Sequence, residues 1–300
     1  MYYSPGVFRK KALTALKGHW QTALLIALIV NLPTLLMQGV SVFTGNDLMD
    51  RLQAVVVSAS RDGIMTRELP LDEIQALMNS SGFWIIRGLE LLAWLVTPCL
   101  SLGMYRWLTG RLQGQEEPVS TVFCRINLFF KAIGLQLMII LKVLLWMLPG
   151  FAAGLLAVYM ALRNQGSSAL QSVYSMTLPM ILLTAVPGVM AALRCALAEY
   201  IMADRPESRI LFCIRRSKEL MKDRKKYLFT MLLMFLLWYM LELLVSSLLP
   251  GVFSLLFQML AGLALSVWMA GSVAAFRLHA EELYASNAGP DAEPAPDELN

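Results

Sequence analysis

Charge is scarce in this 300-residue sequence: 15% of residues are Asp, Glu, Lys or Arg, against 57% hydrophobic ones. An ordinary soluble domain is nearer a quarter charged. That deficit, with a mean hydropathy of +0.60, excludes a disordered chain and a soluble nucleic-acid binder. Cysteine is scarce too. Cys99, Cys124, Cys195 and Cys213 have no paired spacing, which speaks against a disulfide framework and a metal cluster. The two histidines, His19 and His279, are too few for a ligand set. No P-loop, His-Glu-x-x-His, Gly-x-Ser-x-Gly or dinucleotide fingerprint occurs. The expectation is therefore a protein without cofactor, metal or catalytic residues. The short alternating segments of a β-barrel are also missing.

What is present is long apolar runs. A bilayer core about 30 Å thick takes about 20 apolar helical residues to cross. Six runs qualify: Trp20 to Phe43, Phe83 to Leu108, Phe129 to about Leu162, Val173 to about Met202, Tyr227 to Leu249 and Gly251 to Phe276. Lipid cannot satisfy open backbone groups, so all should be helices. The first run is too long for a signal peptide's core and lacks a small-x-small site, so it should remain as an anchor. The expected fold class is all-α: a polytopic transmembrane bundle of about six spans with kinked middle helices and an amphipathic cytoplasmic helix. The third run is too long for one straight crossing. Pro149-Gly150 interrupts it and Pro187-Gly188 interrupts the fourth, giving long kinked helices or a short re-entrant pair near 151–186.

Lys and Arg set the orientation. Eighteen of the 25 fall on one side of the six-span scheme and four on the other, with three inside spans. This places both termini in the cytoplasm. Residues 1–19 form a basic amphipathic arm with Arg9, Lys10, Lys11 and Lys17. Residues 20–276 form the helical domain, with an outer loop over 44–82. In that loop Leu48, Leu52, Val55, Val56 and Ala59 recur at helical spacing. The loop suits an amphipathic cap, or else a ligand- or partner-binding lid. Residues 277–300 are acidic and proline-bearing, so a disordered cytoplasmic tail is expected.

Residues 207–224 read as a basic amphipathic helix. Ile210, Ile214, Ser217 and Met221 share one face. Arg209, Arg215, Arg216, Lys218 and Lys222, followed by Arg224, Lys225 and Lys226, supply positive charge suited to anionic inner-leaflet lipids. The same pattern also serves as a plain topology signal. Within the membrane, Arg87, Glu90, Lys142 and Glu242 are expected at comparable depth, with charges that cancel. Intramembrane charges mark either pairs that fix helix register or a polar pathway. Pro149-Gly150 and Pro187-Gly188 are expected to break helices, and Pro250-Gly251 to turn between the fifth and sixth.

Three stretches resemble one bacterial family of integral membrane proteins, domain of unknown function 975. Arg9-Lys10-Lys11-Ala12-Leu13-Thr14-Ala15-Leu16-Lys17-Gly18-His19-Trp20 is similar to its opening signature. Leu145-Trp146-Met147-Leu148-Pro149-Gly150 is similar to its Leu-Trp…Pro-Gly element. Arg216-Ser217-Lys218-Glu219-Leu220-Met221-Lys222, then Lys225 and Leu228-Phe229, resembles its most distinctive stretch. Asp223 stands where the family usually has Gly, and Lys226 where it usually has Trp. The resemblance implies a multi-spanning plasma-membrane protein and brings no activity with it.

The reading from sequence is a non-enzymatic membrane assembly or envelope factor acting through helix and lipid contacts. Its partners would be the bilayer and anionic inner-leaflet lipids, with room for a protein partner or a second copy and none for nucleic acid. The alternative is a small transporter or export permease with an outward-facing polar pocket.

Overall fold

A computed structural model describes residues 4–43, 81–163 and 169–288. The described residues contain no strand. The helices are α1 Pro5–Leu16, α2 Trp20–Phe43, α3 Ser81–Leu112, α4 Phe129–Arg163, α5 Ala169–Cys195, α6 Ala198–Asp204, α7 Ile210–Leu220, α8 Lys225–Leu248 and α9 Gly251–Ala288. Two short 3₁₀ turns, Val119–Phe123 and Ile126–Leu128, join α3 to α4. Among the described residues six helices are long and apolar enough to cross a membrane: α2, α3, α4, α5, α8 and α9.

Local sequence explains the boundaries. Pro5 opens α1, where its missing N–H costs nothing. Gly18, at φ +85°, reverses the chain between α1 and α2, in a left-handed conformation natural to glycine. Phe8, Ala12 and Leu16, spaced one turn apart, bury one side of α1. That side rests on α9, where the Phe8 ring meets Phe276 edge-on at 5.4 Å, and Trp268 Nε1 donates to the Arg9 carbonyl.

The long helices associate as three neighbouring pairs: α2 with α3, α4 with α5, and α8 with α9. Most of their large buried side chains lie at one end. Trp107, Leu108, Leu135, Leu197, Ile201, Met202, Ile214, Leu220 and Phe235 are all buried there, with α1 and α7 among them. Farther along the same helices, Trp84, Leu91, Leu148, Phe151, Leu156, Leu183, Leu244, Phe253 and Leu256 are exposed. Lipid tails are as apolar as leucine, so exposure at that depth carries no penalty of the kind water imposes.

Several boundaries differ from the sequence reading. Pro149-Gly150 and Pro187-Gly188 break no helix, since α4 and α5 continue past them with the prolines inside. The glycines instead let the two helices touch. A Cβ on Gly150 would lie 2.6 Å from Thr184 Oγ1, and one on Gly188 2.9 Å from Met147 Cγ. The fourth span breaks later, at residues 196 and 197, between α5 and α6. Pro250-Gly251 does separate α8 from α9, and across that turn Ser254 Oγ donates to the Ser246 carbonyl. The last helix does not stop at Phe276. It continues to Ala288, because Arg277 and Ala280 still face the packed interior. The cap expected within 44–82 falls on residues 44–80, outside the described residues, as does the tail from 289.

Candidate functional site

The structure concentrates its polar chemistry at the packed end, around α6 and α7. The break between α5 and α6 leaves backbone groups that cannot bond along a helix. Ser217 of α7 supplies partners: its hydroxyl donates to the Arg194 carbonyl at 2.9 Å and accepts the Leu197 N–H at 3.2 Å. Ser217 is fully buried, as are Cys213, Ile214, Leu220 and Met221. Helix α7 is therefore docked by its apolar side onto the protein itself. Burial pushes the Cys213 thiol up to about 11. The far end of α6 is closed by cations, as a helix C-terminus favours. Arg125 Nε donates to the Ala203 carbonyl and Lys131 Nζ to the Pro206 carbonyl, each at 3.0 Å.

Asp204, the last residue of α6, gathers two arginines. Arg277 of α9, only 2% exposed, donates to its Oδ2. Arg106 of α3 approaches Oδ1 at 3.5 Å and reaches Glu117 at 3.6 Å. Arg277 also pairs with Glu281 at 3.0 Å. Glu117 is held by Thr121 Oγ1, which donates to its carboxylate, and by Trp107 Nε1, which donates to its carbonyl. Beside this network the Tyr105 and Tyr200 rings stack at 4.1 Å, and the Tyr200 hydroxyl donates to the Ala270 carbonyl. Five segments are locked together here: α3, the 3₁₀ turn at 119–123, α6, α9 and, through Ser217, α7.

The outward side of α7 is basic. Leu211, Arg215, Lys218 and Lys222 are exposed along one stripe, and Arg209 and Lys226 are exposed at its two ends. Lys225 is half-buried. Two of the basic residues assigned to lipid from sequence are used by the fold instead. Arg216 lies 3.8 Å above the Tyr284 ring and pairs with Glu219 at 3.6 Å. Arg224 donates to the Leu220 and Ala280 carbonyls. Between α7 and α8, Asp223 adopts φ +62°, a left-handed turn.

The four intramembrane charges do not meet as one cluster. Arg87 and Glu90 form an ion pair along α3. Lys142 on α4 has Lys218 and Cys195 in its electrostatic neighbourhood, so it belongs to the packed end. Glu242 on α8 lies against α9, its Oε1 3.4 Å from where a Cβ on Gly262 would stand. Neither Lys142 nor Glu242 has an ion-pair partner among the described residues. The groove of about 390 Å³ along α4 and α5 is lined by Met147, Phe151, Leu155 and Ile181 with Gly150 and Gly154, and no charged residue lines it. Arg194 stacks on the Trp146 ring at 5.0 Å.

Sequence reasoning passed over Asp204, Glu117 and Glu281 and counted Arg106 and Arg277 only as topology signals. Their one shared mark was position at the ends of apolar runs, where charge is ordinary. Among the described residues no group of three or more His, Cys, Asp and Glu is placed to hold a metal ion.

The family described as protein of unknown function (DUF975) matches residues 3–276, and the chain belongs to it. No curated protein matches the chain, and no solved structure does.

Proposed function

We propose that this member of the DUF975 family is a non-enzymatic bacterial plasma-membrane protein with both termini cytoplasmic. It would serve as a membrane assembly or envelope factor whose α7 contacts anionic inner-leaflet lipids. One observation carries the reading. Helix α7 spends its apolar side on the protein core and presents Arg215, Lys218 and Lys222 outward. A helix that lies in a leaflet keeps its apolar side for acyl chains. Here the contact on offer is electrostatic, worth about 1 kcal/mol for each basic residue near an anionic surface. The arrangement of the ends supports the same reading. Helix α1 and the last turns of α9 pack together, with Phe8 beside His279, at the end that carries α7.

Two measurements test it. Reporters fused after Asn300 should read cytoplasmic, and one inserted near Asp62 should read external; the reverse would overturn the orientation. In reconstituted protein, spin-labelled phosphatidylglycerol should show a larger motionally restricted fraction than spin-labelled phosphatidylcholine. Arg215→Gln with Lys218→Gln and Lys222→Gln should remove the difference. Equal fractions for the two lipids in the unsubstituted protein would sink the lipid reading.

A further inference from the structure

The end of α9 delivers the chain to the flank of the basic stripe. Tyr284 Oη donates to the Glu219 carboxylate at 3.5 Å, and the Arg216 guanidinium covers the Tyr284 ring. Glu219 lies one turn beyond Arg215 on the same side of α7. Two acidic groups on this flank are already matched: Glu219 pairs with Arg216, and Glu281 with Arg277. Arg215, Lys218 and Lys222 have no carboxylate partner among the described residues. Lys218 also shares its surroundings with Lys142, which adds to the positive field.

Residues 289–300 follow directly, with Asp291, Glu293, Asp297 and Glu298 and no basic residue. Their full extension is about 40 Å. The stripe from Arg215 to Lys222 is only about 10 Å long. Reach and charge both match. Tethering raises the effective concentration of such a segment to about the millimolar range.

We propose that the acidic segment 289–300 docks along the exposed basic stripe of α7 and competes there with anionic lipid headgroups. The competition rests on the lipid reading above; the docking does not. The segment would hold the stripe in a neutral membrane and yield it to a strongly anionic one.

Carbodiimide coupling, which joins a carboxylate to an amine in direct contact, tests the docking in full-length protein in phosphatidylcholine nanodiscs. Peptide mapping should find bonds from the four tail carboxylates to Lys218 or Lys222. They should vanish at about 1 M salt, where screening acts within about 3 Å, and weaken several-fold in phosphatidylglycerol nanodiscs. Coupling to neither lysine, or equal coupling to Lys10, Lys11 and Lys17, would overturn the docking. Coupling that persists unchanged in phosphatidylglycerol would overturn the competition. A second variant, Asp291→Asn with Glu293→Gln, Asp297→Asn and Glu298→Gln, should strengthen the phosphatidylglycerol preference in the spin-label assay about two- to fivefold, the scale of one exposed ion pair. A preference that exists but does not change sinks this inference and leaves the lipid reading standing. Equal fractions in the unsubstituted protein sink the lipid reading and with it the competition, while coupling still decides the docking.

Discussion

Arg277 reaches Asp204 across 73 residues of sequence and ties the last helix to the short α6. The guanidinium is 2% exposed and also holds Glu281. A buried ion pair adds little net stability over an apolar pair of the same shape, but losing one partner strands the other. Arg277→Met should therefore lower the unfolding free energy by about 3–5 kcal/mol, seen as a fall in melting temperature in detergent micelles. Arg277→Met combined with Asp204→Leu should recover part of that loss. A single variant as stable as the parent would show the pair to be idle.

Ser217 has a similar role with a neutral group. It serves both a carbonyl and an N–H at the break between α5 and α6. Ser217→Ala keeps the volume close and removes both partners, so two buried backbone groups lose their bonds. The expected cost is about 1–3 kcal/mol, and hydrogen exchange at Leu197 should speed up. Unchanged exchange there would mean that the break is held by packing alone.

This serine also shows how the sequence could be read and where reading stopped. Period and length place every long helix, because apolar runs in lipid have only one regular solution. The apolar face holding Ile214, Ser217 and Met221 was legible as well. What it faces was not, since the same face fits a leaflet or a protein core. Asp204, Arg106 and Arg277 were illegible for a related reason. A charge at the end of a span is ordinary, and only the tertiary fold shows that three of them converge. The Pro-Gly pairs misled in the opposite direction. Proline raises the expectation of a break, yet at Gly150 and Gly188 the informative residue is the glycine, which lets α4 and α5 meet.

Asp223 offers a check on the turn between α7 and α8. Its φ of +62° is in the left-handed region, where glycine is favoured and aspartate is among the better-tolerated alternatives. Asp223→Gly should leave stability unchanged or raise it by up to about 1 kcal/mol, since glycine adopts this conformation freely. Asp223→Val should cost more than 1 kcal/mol, roughly the price of a β-branched side chain there. The two melting temperatures relative to the parent decide it. A valine variant as stable as the glycine variant would remove the left-handed turn from the argument.

Gly103 on α3 sits against the backbone of Val122 in the 3₁₀ turn, with no room for a Cβ. Backbone cannot step aside as a flexible side chain does, so Gly103→Ala should destabilise strongly, by about 2 kcal/mol or more. Gly88 lies on the same helix with nothing within 4 Å of the same atom. Gly88→Ala should be neutral or slightly stabilising, because alanine is the better helix former. Expression and melting of the two variants side by side separate close packing from any general intolerance of α3 to substitution.

The four thiols give a readout of the packed end as a whole. Cys124 is exposed, while Cys99, Cys195 and Cys213 are buried. Thiolate is the reactive form. An ordinary thiol at 9.0 is about one tenth thiolate at pH 8, whereas Cys213, raised to about 11, is only about one thousandth. Maleimide labelling of Cys213 should stay far slower than that of an exposed thiol throughout pH 7 to 9, because its sulfur is buried and its thiolate scarce. Folded protein in micelles should take up one label per chain, at Cys124, and denatured protein four. Arg277→Met and Ser217→Ala should each accelerate labelling of Cys213 by loosening the contacts around it. Rapid labelling of Cys213 in the parent protein at pH 8 would mean that α7 leaves its seat in the native state, and the basic stripe could no longer be treated as a fixed surface.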